Sequence, residues 1–267
     1  MIDLHSHILP GVDDGAPDLE TALDMARMAV DDGVAVMACT PHFMPGLYDN
    51  DAADIRRRVA ELNERLQSEG IDLALVTGSD AHVRPDFLSC LRDGRILTLH
   101  DSRYVLFEPP HNILPQRLDD LLFNIVAGGY VPVLTHPERL EWLEPNYGMI
   151  AQYVKMGVWM QVTAGSLAGD FGRRAQYWAQ RLLAEGMVHI LASDAHNTSR
   201  RPPGLSKAFQ LAAEAVGLDE ATQLVILRPE KILENAPVEV TAPIRVVPPK
   251  KAETAPFWRR LFQGTAS

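Results

Sequence analysis

Cysteine is nearly absent. Cys39 and Cys90 are the only two among 267 residues, which rules out a disulfide framework and points to a reducing compartment. Neither fits the C-x5-R phosphate loop of cysteine-dependent phosphatases, because counting on from Cys39 reaches Pro45 and from Cys90 reaches Ile96. Positive charge is also scarce: 25 Lys and Arg stand against 35 Asp and Glu, a net charge of -10. That excludes a nucleic-acid groove as the main business, although carboxylates gathered around metal ions would be locally less negative than the formula says. No apolar run is long enough to span a bilayer, so no transmembrane segment is expected. The opening Met-Ile-Asp-Leu-His lacks the basic and apolar regions of a secretory leader. The expectation is a cytoplasmic protein. No internal repeat is evident. The hydrophobic content of 46% is that of an ordinary globular protein.

What the chain does have is concentrated first in MIDLHSHILPGVDDG. A short apolar strand, Met1 to Leu4, runs into His5-Ser6-His7, and Asp13 and Asp14 follow. Side chains alternate along an extended chain, so two histidines separated by one residue point the same way. Imidazoles side by side with carboxylates close behind make a nascent metal site. An exposed polar loop would read the same way, so more ligands are needed elsewhere. Asp14 is the carboxylate expected in the site; Asp13 is expected to shape the turn into Gly15.

The rest of the chain alternates strands and helices. Helices are expected from a cap at Asp18 to about Asp32, from Asp51 to Ser68, from Pro85 to near Gly94, from Pro115 to Ala127, from Asn146 to Met156 and from Arg173 to Glu185. Others are expected from Leu205, from Glu220 and from Pro229 to Glu234. Strands are expected at Val34 to Cys39, Leu73 to Thr77, Tyr104 to Phe107, Val131 to Leu134, Val158 to Val162 and Val188 to Ala192, with a Thr-Ala-Gly-Ser loop after Val162. Seven strand-helix units predict an α/β fold with a parallel sheet closed into a barrel.

Polar residues fall in one place in this pattern. His5, His7, His42, Asp80, Glu108, His136, Asp194 and His196 all follow apolar strands directly, and in a parallel barrel those strand ends share one face. Each alone has a plain alternative: His42 as a turn cap, Glu108 as a solvated acid, His136 as a satisfied loop histidine. Unconnected loops would not place only metal-ligand types at successive strand ends. The mixed imidazole and carboxylate set, without thiolate, suits manganese, iron or zinc. It exceeds what one ion needs, so two or three divalent ions are implied. Clustered ions in a barrel mouth suit phosphate-ester hydrolysis.

The chain resembles the PHP (polymerase and histidinol phosphatase) superfamily, and within it the CpsB/CapC/YwqE-type protein-tyrosine phosphatases of bacterial capsule and exopolysaccharide loci. MIDLHSHILPGVDDG, CTPHF around His42, DSRYVLFE ending at Glu108, THPERL around His136 and SDAHNTSRRPP from Ser193 carry the likeness. It implies a distorted (β/α)7 TIM-like barrel (the PHP fold) over residues 1–235. It also implies a site in which His5, His7, Asp80 and Asp194 hold one ion, Asp80, Glu108 and His136 a second, and Asp14, His42 and His196 a third, with manganese the favoured metal. Arg139 and Arg201 match arginines suited to gripping a phosphate. The implied reaction is attack of a metal-bound hydroxide on phosphotyrosine in a protein, the implied partner a tyrosine kinase of polysaccharide assembly. One residue departs from the family. Where relatives usually carry glutamate this chain has Asp80, a methylene shorter, with His82 close by as an added ligand or substrate contact. Two other functions fit the same residues: a PHP phosphatase for a small substrate such as histidinol phosphate, or a low-activity protein that binds and regulates the kinase. Residues 236–267, with Pro243, Pro248 and Pro249, read as a linker and flexible tail. Its apolar cluster from Phe257 to Phe262 either makes peripheral contact with a partner or membrane surface or packs on the barrel.

Overall fold

Short apolar runs bounded by glycines, alternating with amphipathic segments, give passes of strand and helix along the chain. The computed structural model describes residues 1–237, so the segment from 238 on, with its Phe257 to Phe262 cluster, lies outside the described residues. The first half runs β1 (Ile2–Ser6), α1 (Leu19–Asp31), β2 (Val36–Cys39), β3 (His42–Phe43), α2 (Ala52–Ser68), β4 (Ala74–Thr77), β5 (Asp80–His82) and α3 (Phe87–Arg92). The second runs β6 (Tyr104–Glu108), α4 (Leu118–Ala127), β7 (Val131–Thr135), α5 (Tyr147–Met156), β8 (Trp159–Thr163), α6 (Ala164–Ala168), α7 (Gly172–Ala184), β9 (Ile190–Ala192), α8 (Ser206–Val216), α9 (Leu218–Thr222) and α10 (Arg228–Leu233). Helix starts follow from capping chemistry. Asp18 accepts from the Thr21 N–H at 2.8 Å, and Asp51 from the Ala53 and Asp54 N–H groups, satisfying donors that the first turn leaves open.

Every strand pair is parallel, in two sheets ordered β1-β2-β4 and β3-β5-β6-β7-β8-β9. The nine strand segments are seven passes of the chain. The strands expected to end at Cys39 and Thr77 do end there, and two passes then resume after a break not anticipated from the sequence: Thr40-Pro41 separates β2 from β3, and Gly78-Ser79 separates β4 from β5. Pro41 has no N–H to give the ladder, and its carbonyl accepts from the Asp80 N–H across the break at 3.1 Å. Beyond it the register resumes with His42 opposite Asp80. The ring closes where the first strand meets the last: Ser6 bridges Ala195, the Asp194 N–H donates to the His5 carbonyl at 2.9 Å, and the His7 N–H donates to the Ala195 carbonyl at 2.8 Å. The result is a distorted (β/α)7 barrel.

Three elements differ from the sequence expectation. The helix expected from Pro115 begins at Leu118, because Arg117 takes a left-handed φ of 58°. The expected loop after β8 folds as α6, a turn and a half whose weak helix formers, Gly165 and Ser166, are held by tertiary contacts: the buried Glu138 carboxylate accepts the Thr163 N–H at 3.0 Å. The helix expected from Glu220 starts earlier, at Leu218, and passes through a π-helical turn, Gln223–Leu227.

The strand face that carries Glu108, Gln161 and Asp194 turns inward. Below the polar layer it is apolar: Tyr104, Leu106, Val133, Trp159 and Ile190 pack with Leu4 and Ala38 into a core sealed by Ile232 of α10. The outward face, with Val105, Phe107, Leu134, Met160 and Leu191, packs on the helices. The barrel therefore has a solid apolar floor and a polar end.

His189 belongs to that floor. It stacks on Trp159 with ring centroids 5.0 Å apart, and its Nδ1 accepts the Met160 N–H at 3.0 Å. Burial, aided by the Arg228 guanidinium, pushes its pKa down to about 3. The unfolded chain, with a histidine pKa near 6.5, then binds the proton more readily than the native state. Native stability is fully present above about pH 6.5 and falls as pH drops toward 3, by up to about 5 kcal/mol from this group. His189→Asn keeps an acceptor but cannot ionise. Urea unfolding is expected to show the variant less stable at pH 8, through lost stacking, yet with a shallower loss between pH 6.5 and 4.

Candidate metal centre

The open end of the barrel gathers all nine ligand candidates read from the sequence. His5 comes from β1 and His7 from the residue after its end; His42 opens β3 and Asp80 opens β5; Glu108 closes β6; His136 follows β7; Asp194 and His196 follow β9; Asp14 arrives on the loop after β1. Two of these residues are held in backbone conformations that side chains rarely adopt, His136 at φ 37° and Asp194 at φ 53°. Such strain persists only where the surroundings enforce it. A third constraint is Gly15. A Cβ there would lie 2.0 Å from the His7 carbonyl oxygen, so only glycine lets the loop carrying Asp14 close over His7.

The spacing of the donor atoms is informative. His5 Nε2 lies 3.4 Å from both Asp80 Oδ2 and Asp194 Oδ1, and 3.2 Å from His7 Nε2. Asp14 Oδ1 lies 3.4 Å from His42 Nε2 and 3.5 Å from His196 Nε2. Glu108 Oε1 lies 3.5 Å from His136 Nε2. These distances are long for charge-assisted hydrogen bonds. They match the roughly 3.4 Å between two donors bound at about 2.1 Å to one ion with near-tetrahedral angles. Donors cluster in this way as His7, Asp14, His42 and His196; as His5, His7 and Asp80; as His42, Asp80 and Glu108; and as Glu108, His111 and His136.

A further layer aims the rings. The His5 Nδ1 pairs with Gln161 Oε1 at 2.9 Å and the His7 Nδ1 with Asp13 Oδ2 at 2.7 Å, leaving each Nε2 facing the centre. His196 Nδ1 pairs with the Asp194 carbonyl oxygen at 2.9 Å. Asp13 does shape the turn, accepting from the Gly15 N–H at 2.9 Å. It also accepts the His42 N–H at 3.0 Å, so one carboxylate orients two ligand candidates, a role no spacing in the sequence separates from that of Asp14. Such partners fix tautomer and basicity. Two rings outside the original nine join the centre: His111 Nε2 lies 3.4 Å from Glu108 Oε1, and His82 Nδ1 lies 3.5 Å from Glu108 Oε2.

The donor set suits divalent cations. Among the described residues, both Asp80 oxygens and His196 Nε2 are buried without a hydrogen-bond partner, a costly arrangement unless a cation sits against them. The carboxylates also act on the imidazoles. Burial alone would push the His5 pKa down, but Asp194 and Asp80 hold it up at about 9. Burial would likewise lower His42, but Glu108 and Asp80 hold it up at about 10. His136 goes the other way: burial and the Arg139 charge keep it well below the usual histidine range, so its ring is neutral.

Both arginines singled out in the sequence reach the centre. Arg139 Nη1 and Arg201 Nη2 donate to the same oxygen, Asp194 Oδ2, while Asp194 Oδ1 faces His5 and His7. Phe171, which the sequence did not flag, lies under both guanidiniums, 4.6 Å from that of Arg139 and 5.9 Å from that of Arg201. Arg201 Nε is buried without a partner, and an open cleft lined by Phe171, Arg201, Pro202 and Pro203 lies beside it. At the rim, Tyr48 stacks on His42 with ring planes 17° apart. Cys39 and Cys90 are free and buried, and burial pushes the Cys39 thiol far up, which removes it as a nucleophile.

A family model described as capsular polysaccharide synthesis, CpsB/CapC, matches residues 1–234. The tyrosine-protein phosphatase YwqE of Bacillus subtilis is 34% identical over 235 residues, covering 88% of this chain and 92% of that protein. The tyrosine-protein phosphatase CpsB of Streptococcus pneumoniae is 30% identical over 238 residues, covering 87% of this chain and 98% of that one. Among solved structures, one from work on YwqE and CpsB, described as metal-dependent tyrosine phosphatases, superposes with a TM-score of 0.88 at 34% identity, covering 92% of this chain and 100% of that chain.

Asp13→Asn leaves the nine facing donors in place but weakens the acceptor behind His7. Calorimetric titration of the metal-free variant with MnCl2 is expected to show affinity lowered about 10–100-fold; affinity equal to that of the parent would remove Asp13 from this role.

Proposed function

Because the chain belongs to the capsular polysaccharide synthesis CpsB/CapC family, we propose that it is a metal-dependent phosphomonoesterase that removes phosphate from phosphotyrosine in a bacterial tyrosine kinase of capsule or exopolysaccharide assembly. The observation that carries this reading is the convergence of two guanidiniums on Asp194 beside donors at metal-ligand spacing. His5, His7, Asp14, His42, Asp80, Glu108, His136, Asp194 and His196 hold two or three divalent ions, manganese first among manganese, iron and zinc. Such ions supply Lewis acidity toward phosphoryl oxygens and a hydroxide nucleophile at neutral pH.

The chain's own residues do the rest. Arg139 and Arg201 take the remaining phosphoryl oxygens through planar forks, and the unpaired Arg201 Nε gives one more donor. Asp194 draws the two forks to one point and Phe171 supports them from behind. The grip is recessed: the Asp194 side chain is 2% exposed, and those of Arg139 and Arg201 are 17% and 23% exposed. A phosphate must therefore enter the barrel mouth to meet both guanidiniums. The departing phenol, with a pKa near 10, needs less proton donation than an alcohol. Among the described residues no helix is long and apolar enough to cross a membrane.

Metal-loaded protein is expected to release phosphate from a tyrosine-phosphorylated peptide faster than from the matching phosphoserine peptide or from histidinol phosphate, and to stop when EDTA is added. Preference for histidinol phosphate would overturn the substrate assignment; no turnover of any of the three would favour a binding role. Arg201→Lys is expected to lower kcat/KM at least 10-fold. Phe171→Leu, which keeps bulk but loses the aromatic face, is expected to cost about 1 kcal/mol, roughly fivefold in kcat/KM, with recovery in Phe171→Tyr.

A further inference from the structure

Asp80 poses a geometric question that His111 answers. A side chain that bridges two ions must reach both, and Asp80 is a methylene shorter than the glutamate expected there. Its carboxylate meets His5 Nε2 at 3.4 Å and His42 Nδ1 at 3.5 Å. It clusters with His5 and His7 on one side and with His42 and Glu108 on the other, while His136 is found with Glu108 and His111 instead. Read by donor grouping, His136 has lost the carboxylate expected on its far side and gained an imidazole.

That imidazole is well placed. His111 Nε2 and His136 Nε2 lie 3.4 Å and 3.5 Å from the same oxygen, Glu108 Oε1, the edge length found throughout the centre. Their ring centroids are 4.8 Å apart, with planes at 60°. Nor does His111 hang on a free loop. Two prolines, Pro109 and Pro110, stiffen the turn out of β6. The Pro110 carbonyl accepts from Trp142 Nε1 at 2.9 Å, and the His111 carbonyl accepts from the Glu141 N–H at 2.8 Å. Both ends of the turn are tied to the segment that follows His136, so the two rings are positioned as a pair. The backbone presents His111 with 37% of its side chain exposed, on the solvent side of the cluster, where a ligand reaches an ion without displacing Asp80.

We propose that Glu108, His111 and His136 form one complete divalent-metal position, with His111 serving as the third protein ligand that the short Asp80 cannot provide. It rests on the reading of the barrel mouth as a metal centre, not on the identity of the substrate. Three protein ligands with an open position define a catalytic rather than a structural metal site.

The test uses the full chain, stripped with chelator and titrated with MnCl2, and reads bound manganese by elemental analysis after gel filtration beside calorimetry. His111→Ala is expected to lose one equivalent, or to weaken one binding step at least 10-fold, with the other steps and the circular dichroism unchanged. Adding Asp80→Glu to His111→Ala is expected to restore the lost equivalent, because the longer carboxylate regains the bridge. A full manganese complement in His111→Ala would overturn the assignment, as would loss of every equivalent together or failure of Asp80→Glu to restore it. Phosphotyrosine hydrolysis measured on the parent separates the two ideas: a parent that turns over while His111→Ala keeps all its metal sinks only the third ligand, and a parent that does not turn over while His111→Ala loses one ion sinks only the substrate.

Discussion

Three buried carboxylates, Asp80, Glu108 and Asp194, with the exposed Asp14 at the rim, are crowded among imidazoles, and their mutual repulsion is the constraint to which the rest of the molecule answers. Like charges this close raise the energy of any state in which positive charge does not balance them. The raised pKa values of His5 and His42 and the two guanidiniums on Asp194 are all responses to it. So is the stiffness of the surroundings. Left-handed backbone at His136 and Asp194 and the missing Cβ at Gly15 each cost something locally, while the Asp13 carboxylate holds the His7 ring in place from behind. Preformed donors of this kind favour metal binding because little reorganisation remains to be done.

The apolar floor has the complementary task. Strands that end in ligand residues keep strict alternation below them, so Tyr104 and Leu106 sit under Glu108, and Ile190 under Asp194. Because interiors are close-packed, a strand cannot slide to lengthen one donor contact without disturbing that layer. The donor spacing at the mouth is thus set from beneath, by side chains that touch no ligand. Phe171 does a similar service from the side, offering the two arginines a flat face rather than a competing charge.

Much of this was legible in the residues. Apolar runs ending in histidine or carboxylate located the strand ends, and parallel order put those ends on one face. What stayed hidden depended on distances through space. Asp13 and Asp14 are chemically alike and adjacent, and only the fold turns one behind His7 and the other toward His196. His111 follows two prolines, and nothing in the spacing says that the turn brings its ring back beside His136. Phe171 lies on a loop far along the chain from Arg139. The short strands β3 and β5, beyond the breaks at Thr40-Pro41 and Gly78-Ser79, went unseen because two or three residues carry no alternation of their own. The helix at Ala164–Ala168 has poor local propensity and exists through the buried Glu138 contact, a case of tertiary context overriding composition.

The seam between Ser6 and Ala195 also has a temporal meaning. Asp194, His196 and Arg201 leave the ribosome nearly two hundred residues after His5 and His7. At the usual pace of synthesis, about 5–20 residues per second, that is roughly ten to forty seconds. During that interval the opening histidines have neither their last-strand carboxylate nor the backbone partner that closes the ring. A nascent chain therefore displays only part of a metal site, and the contacts that complete it are among the most non-local in the fold. Assembly of the full donor set is thus reserved for chains in which the first and last barrel strands have met.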